Sequence, residues 1–167
     1  SCGERSEEDY AHWRACGAQR YLLKHETADA ALYAALHPGY TLDARVSCLR
    51  AIKRLGYETG SGFMIGLPGE SAAHVAENIL LLDALDCDMA GIGPFVPHPD
   101  TPLRAQPPGS PELTQRAVAL TRILRPQMHL PATTSLGVLD ARAREHVFAR
   151  GANVIMRKVT PEPYKSM

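Results

Sequence analysis

Residues able to bind charged ligands gather just after short apolar runs. Lys24, His25 and Glu26 follow residues 20–23, Thr133 and Thr134 end residues 128–134, and Met156, Arg157 and Lys158 stand at and beyond the end of residues 153–156. Arg45 falls at the start of a predicted helix, from which its planar fork can reach back over the same ends. Arginine pairs bidentately with a carboxylate, and glutamate takes an ammonium group or ribose hydroxyls. Threonine hydroxyls and a lysine suit an anionic group. Together the set fits a zwitterionic ligand and an anionic one. Plainer readings stand beside this one. Glu26 is also a surface charge by pattern, Arg45 a solvated residue, and Thr133-Thr134 a sign of β propensity. Met89 and Met156 read equally as core fillers.

Two further groups carry less. Gly60, Gly62 and Gly66 invite a nucleotide-loop reading. They fail it, because they lie within a predicted strand and no Gly-Lys-Ser/Thr follows. Glycines in such a strand instead let a bulky ligand approach the backbone closely. Cys2, Cys16, Cys48 and Cys87 show no C-x-x-C spacing. They read as free thiols, with no metal ligand expected in this chain.

The elements that must position these residues recur as strand, loop and amphipathic helix. Strands are predicted at residues 20–23, 58–66, 88–95, 128–134 and 153–156. Helices are predicted at about 6–17, 28–36, 42–55, 71–85, 110–124 and 140–150. Ser6 before Glu7, Glu8 and Asp9, Ser71, and Ser110-Pro111 are helix starts. Such alternation argues for an α/β fold with a parallel sheet covered by helices. Periodicity leaves two architectures open, a doubly wound sheet and a (β/α)-barrel. A whole barrel takes about 250 residues, and this chain has 167.

Composition narrows the function classes. The chain has 18 basic and 18 acidic residues and a formal net charge of zero. Nothing electrostatic favours nucleic acid or an anionic membrane as partner. No apolar run is long enough to span a bilayer. The opening SCGERSEEDY does not read as a signal peptide, so a cytoplasmic location is expected.

Five stretches, in order, carry a resemblance: YLLKHETAD (21–29), GYETGSGFMIGLPGES (56–71), DMAGIGPFVPHPDTPL (88–103), LPATTSLG (130–137) and GANVIM (151–156). Together they resemble the biotin synthase-like branch of the radical S-adenosylmethionine (SAM) enzymes, the HydE-type FeFe-hydrogenase maturases in particular. The resemblance covers nearly the whole chain. It implies a partial (β/α)8 barrel of the TIM type, with these strands about the fourth to eighth. Ser1 then sits at the mouth end of the third, and residues 1–167 form the rear part of the barrel domain, truncated at both ends. It also implies SAM and a 4Fe-4S cluster as cofactors. The family's C-x-x-x-C-x-x-C loop is not in this chain, so the cluster ligands are expected outside it.

By the same resemblance Glu26, Arg45, Met64 and Pro94 match SAM-site positions. Ser1, Lys24, Thr133, Thr134 and Met156 match positions lining a substrate or anion cavity. Lys24 stands where arginine is usual, keeping the charge but losing the fork. No residue is assigned a catalytic role. The implied activity is reductive SAM cleavage to a 5′-deoxyadenosyl radical that acts on a small molecule or iron complex in hydrogenase active-site maturation. Other hydrogenase maturases are the candidate partners, and the segment alone is expected to be inactive. Alternatives are a biotin synthase-like or methylornithine synthase-like enzyme, a lyase or aldolase using Lys24 as a Schiff base, and a catalytically incompetent fragment acting as an assembly partner.

Overall fold

The computed structural model describes residues 1–156, 159 and 161; Arg157 and Lys158 lie outside the described residues. Local chemistry starts most helices where the side chains dictate. Ser6 caps α1 (Glu7–Ala15) by accepting from Asp9 N at 3.2 Å, while Asp9 accepts from Ser6 N at 3.3 Å. After β1 (Arg20–Leu22), Asp29 caps α2 (Ala30–Leu36), so this helix begins two residues later than its pattern suggests. Thr41 caps α3 (Leu42–Arg54), and β2 (Glu58–Ile65) follows. Ser71 caps α4 (Ala72–Ala84), and β3 (Met89–Pro94) follows. Ser110 caps α5 (Pro111–Leu124), which has proline in its first turn.

The next strand differs from expectation. Only β4 (Pro131–Ala132) is regular, and Thr133 and Thr134 do not end a strand. Thr133 is the N-cap of a short helix, α6 (Thr134–Leu139), which swings Leu136 into the core. A glycine-containing six-residue helix carries no 3.6-residue periodicity to read. The helix predicted over 140–150 is also divided. It forms α7 (Ala141–His146), capped by Asp140, and a 3-10 turn (Val147–Arg150). The last strand, β5, is Val154–Ile155.

Strand order bears on the two open architectures. β1 pairs with β2 and β2 with β3, all parallel, and β4 pairs parallel with β5. A parallel bridge from Met89 to His129 joins the two groups. The strands therefore follow one another in chain order without reversal. A doubly wound sheet reverses its order at a switch point; an arc of a (β/α)-barrel does not.

Successive strand residues face opposite sides. Tyr21 and Leu23, Phe63 and Ile65, Ala90 and Ile92, and Leu130 and Ala132 enter one buried core. Leu49 and Ile52 of α3, Val75, Ile79 and Leu82 of α4, and Ala117 and Val118 of α5 complete it. The alternate residues Leu22, Lys24, Gly60, Gly62, Met64, Gly91 and Gly93 then share the other face.

Charges tie the amino ends of the strands. Lys53 Nζ lies 3.0 Å from both Asp86 and Asp88, and Arg125 bridges Asp83 and Asp86. Asp88 also accepts from Thr59 N at 2.8 Å. In such folds this end serves stability. Among the described residues, no helix is long and apolar enough to cross a membrane.

Candidate functional site at the carboxyl ends of the strands

Beyond β1 the chain stays beside β2. Leu23 N donates to Gly60 O at 2.9 Å, Glu26 N to Gly62 O at 3.0 Å, and Met64 N to Glu26 O at 3.2 Å. Glu26 takes a left-handed backbone, φ 64°, which glutamate rarely adopts. Its carboxylate lies 4.0 Å from Lys24 Nζ. Arg45 Nη1 donates to Lys24 O at 3.1 Å. Lys24, Glu26, Arg45 and Met64 thus meet at one spot.

The floor beside them is bare backbone. Gly62 lies opposite Gly91, and Met64 opposite Gly93. A Cβ at Gly62 would fall 2.2 Å from Gly91 O, so no side chain fits there. The Lys24 stem lies over Gly91, and the Thr133 and Ser135 hydroxyls lie over Gly93. These two glycines are two strand residues apart, about 7 Å, so the lysine and the hydroxyl pair converge on one cavity wall. Thr133 and Ser135 are 3.4 Å apart through their oxygens.

Other predicted positions sit farther out. Pro94 ends β3 and is buried, paired with Ile65. Thr134, at the first position of α6, is exposed. Ser1 is exposed. Met156 is 44% exposed, with its carbonyl accepting from Arg144 at 2.8 Å.

Two neighbours carried no sequence signal. Glu4 brings its carboxylate to 2.6 Å from Arg45 Nε, yet the N–H is not aimed at it, so the pair is ionic without a hydrogen bond. Tyr33 is fully buried, with the Arg45 guanidinium 5.9 Å from its ring centre. Buried polar atoms are normally hydrogen-bonded. Seven buried side-chain atoms have no such partner among the described residues, and four of them stand here: Glu4 Oε1, Glu26 Oε2, Tyr33 OH and Arg45 Nε. Unmet hydrogen-bonding capacity gathered beside a glycine floor makes this the candidate ligand site.

His25, between Lys24 and Glu26, faces the helices. It is fully buried, with Nδ1 2.9 Å from Ser61 Oγ and Nε2 3.2 Å from Asn78 Oδ1. Asn78 Oδ1 already accepts from Ala28 N at 2.6 Å. It is therefore the acceptor for a proton on Nε2, which leaves Nδ1 an acceptor; the single Ser61 hydroxyl hydrogen is shared between Nδ1 and the Leu23 carbonyl, 3.0 Å away. Burial pushes the imidazole down to about 3, against the pull of the Asn78 hydrogen bond and with help from Lys24 and Arg45. A neutral His25 thus fastens both flanks of the Glu26 turn from behind.

A hollow of about 430 Å³ lies at the opposite end, between Glu58, Asp88 and His129. Its charges are largely consumed: Glu58 pairs with Arg20 at 2.6 Å, and Asp88 with Lys53. Among the described residues, no three His, Cys, Asp or Glu side chains stand together as a metal site.

No protein-family model matches the chain. Its relatives do define a class. It is 34% identical over 130 residues to a biotin synthase of Desulforudis audaxviator, covering 78% of this chain and 37% of that protein. The solved structure of methylornithine synthase (PylB) superimposes with a TM-score of 0.83 at 26% identity, over 93% of this chain and 45% of that one. The chain belongs to the radical SAM enzymes, in their biotin synthase-like branch. Within that branch it is 48% identical to the [FeFe] hydrogenase maturase subunit HydE of Thermotoga maritima, along all 167 residues and 48% of the relative. The chain spans about half the length, or less, of the curated relatives it matches.

Proposed function

We propose that this chain forms part of the SAM and substrate walls of a HydE-type radical SAM enzyme of FeFe-hydrogenase active-site maturation. The supporting observation is the cluster of unpartnered polar atoms at Glu26 and Arg45, in a chain 48% identical to a HydE throughout. Strands β1–β5 take the places of about the fourth to eighth of a (β/α)8 barrel, in a cytoplasmic enzyme.

The residues fit SAM. Arg45 pairs with its carboxylate, and Glu26, with Oε2 free, takes the ammonium group or ribose hydroxyls. Met64 and Pro94 flank the same wall. The left-handed backbone of Glu26 turns the carboxylate toward Lys24, and the His25–Asn78 hydrogen bonds hold that turn. Lys24 and Thr133 line the substrate side, to which the resemblance also assigns the exposed Thr134, Ser1 and Met156. The substrate is a small iron-containing precursor, and other maturases are the partners.

The cysteines do not fit an iron–sulfur cluster: Cys2 and Cys16 are exposed and Cys87 is buried alone. The 4Fe-4S ligands therefore come from outside this segment. When bound, SAM and the cluster would supply a 5′-deoxyadenosyl radical, which these walls would help to shield from water and side reactions.

The fold match to methylornithine synthase favours a second reading, a methylornithine synthase-like enzyme built on the same walls. A substrate screen separates the two. The shared SAM reading is tested with Glu26→Gln in the complete, reconstituted gene product. Its SAM affinity is expected to fall at least about tenfold, the worth of a hydrogen bond to a charged group. Unchanged affinity contradicts the reading.

A further inference from the structure

Tyr33 lies in the middle of α2 and is wholly inaccessible to solvent. Its ring is held between two partners. His37 stacks on it at 4.5 Å with an 18° tilt, and the Arg45 guanidinium lies 5.9 Å from its centre. Yet its hydroxyl has no hydrogen-bond partner among the described residues. A phenol buried this way costs free energy unless something accepts its proton. Burial pushes the phenol above its ordinary range, with Arg45 opposing and the Glu4 and Glu26 carboxylates adding to the rise. The hydroxyl therefore remains a donor at neutral pH, beside a guanidinium that is also a donor.

Two donors side by side call for an acceptor. Arg45 spends Nη1 on the Lys24 carbonyl and sets Nε against Glu4, while Nη2 makes no hydrogen bond among the described residues. Nη2, the Tyr33 hydroxyl and Nε, whose N–H is not aimed at Glu4, are the donors left over. Glu26 does not meet this need, since its Oε2 also lacks a hydrogen bond.

We infer that Tyr33 is a ligand-binding residue whose hydroxyl donates to the same carboxylate that Arg45 holds. The inference rests on the proposed SAM site and adds to it a second donor, contributed by α2. The ring has a further part, because its face holds the guanidinium in place.

The test uses the complete gene product with its cluster reconstituted, SAM as the probe, and Tyr33→Phe, which keeps the ring and deletes only the hydroxyl. SAM affinity by calorimetry is expected to fall about tenfold. The melting temperature of the ligand-free protein is expected to stay level or rise, because an unpaired buried group has been removed. A double-mutant cycle with Arg45→Lys is expected to show losses that do not add, as for two donors on one group. Unchanged affinity in Tyr33→Phe, with affinity lost in Glu26→Gln, overturns the role of Tyr33 and leaves the SAM site standing. A lowered melting temperature with unchanged affinity shows that the hydroxyl has a structural partner, and likewise overturns it. Additive losses overturn the shared carboxylate. No loss in Tyr33→Phe, Arg45→Lys or Glu26→Gln refutes the SAM site itself.

Discussion

Replacing His25 with glutamine isolates one titration that the fold suppresses. In the folded protein burial holds the imidazole down to about 3, against an ordinary value of 6.5. The unfolded chain therefore takes up the proton first as pH falls. The His25 contribution is intact above about pH 6.5 and is lost progressively as pH falls toward 3. At pH 5 the unfolded state is favoured by about 2 kcal/mol relative to pH 7.5, a figure set almost wholly by the unfolded imidazole. Glutamine cannot titrate. The measurement is urea denaturation of the cluster-free protein at both pH values. The wild type is expected to lose about 2 kcal/mol more than His25→Gln on going to pH 5, whatever the baseline cost of the substitution. Equal losses would refute the reasoning, since they require His25 to accept a proton in the folded state as readily as in water. The neutral ring between Ser61 and Asn78 would then not be what holds the Glu26 turn.

Gly62→Ala is expected to destabilise the protein by about 3 kcal/mol or more, because the new methyl lands 2.2 Å from the Gly91 carbonyl in a paired strand; an unchanged denaturation midpoint would contradict the packing described. Lys24→Ala is expected to raise KM for the anionic substrate about tenfold while leaving SAM affinity within about twofold. Lys24→Arg, which keeps the charge, is expected to restore KM, and steady-state kinetics beside calorimetry separates the two effects.

Local chemistry was legible in the sequence where neighbouring residues decide it. The Ser6–Asp9 capping pair and Ser110-Pro111 announce α1 and α5, because the partners lie within one turn. Lys24 and His25 read alike as polar residues after a strand, yet in the structure Lys24 lies over Gly91 while His25 faces the helices. The partners were not legible. His25 bonds Ser61 and Asn78, 36 and 53 residues away, and only the stacking of α4 on the sheet brings them near. Glu4 reads as one more charge in an acidic stretch, yet it meets Arg45 from 41 residues away. Tyr33 reads as an apolar helix residue, because nothing local tells that its hydroxyl lacks a partner. Thr133 and Thr134 suggest a strand by β propensity, but α6 sends the first over Gly93 and the second to solvent. Strand order, which favours an arc of a barrel over a doubly wound sheet, depends on pairings that periodicity does not encode.

Arg45 is the residue on which the proposed chemistry turns, since it joins Glu4, Lys24 and Tyr33 and offers the group a carboxylate ligand needs. The direct measurement is calorimetric titration of SAM into the reconstituted complete gene product and its Arg45→Ala variant. Affinity is expected to fall at least about tenfold in the variant, with the fold intact by circular dichroism. Equal affinity in the two proteins would contradict a SAM site at the carboxyl ends of these strands.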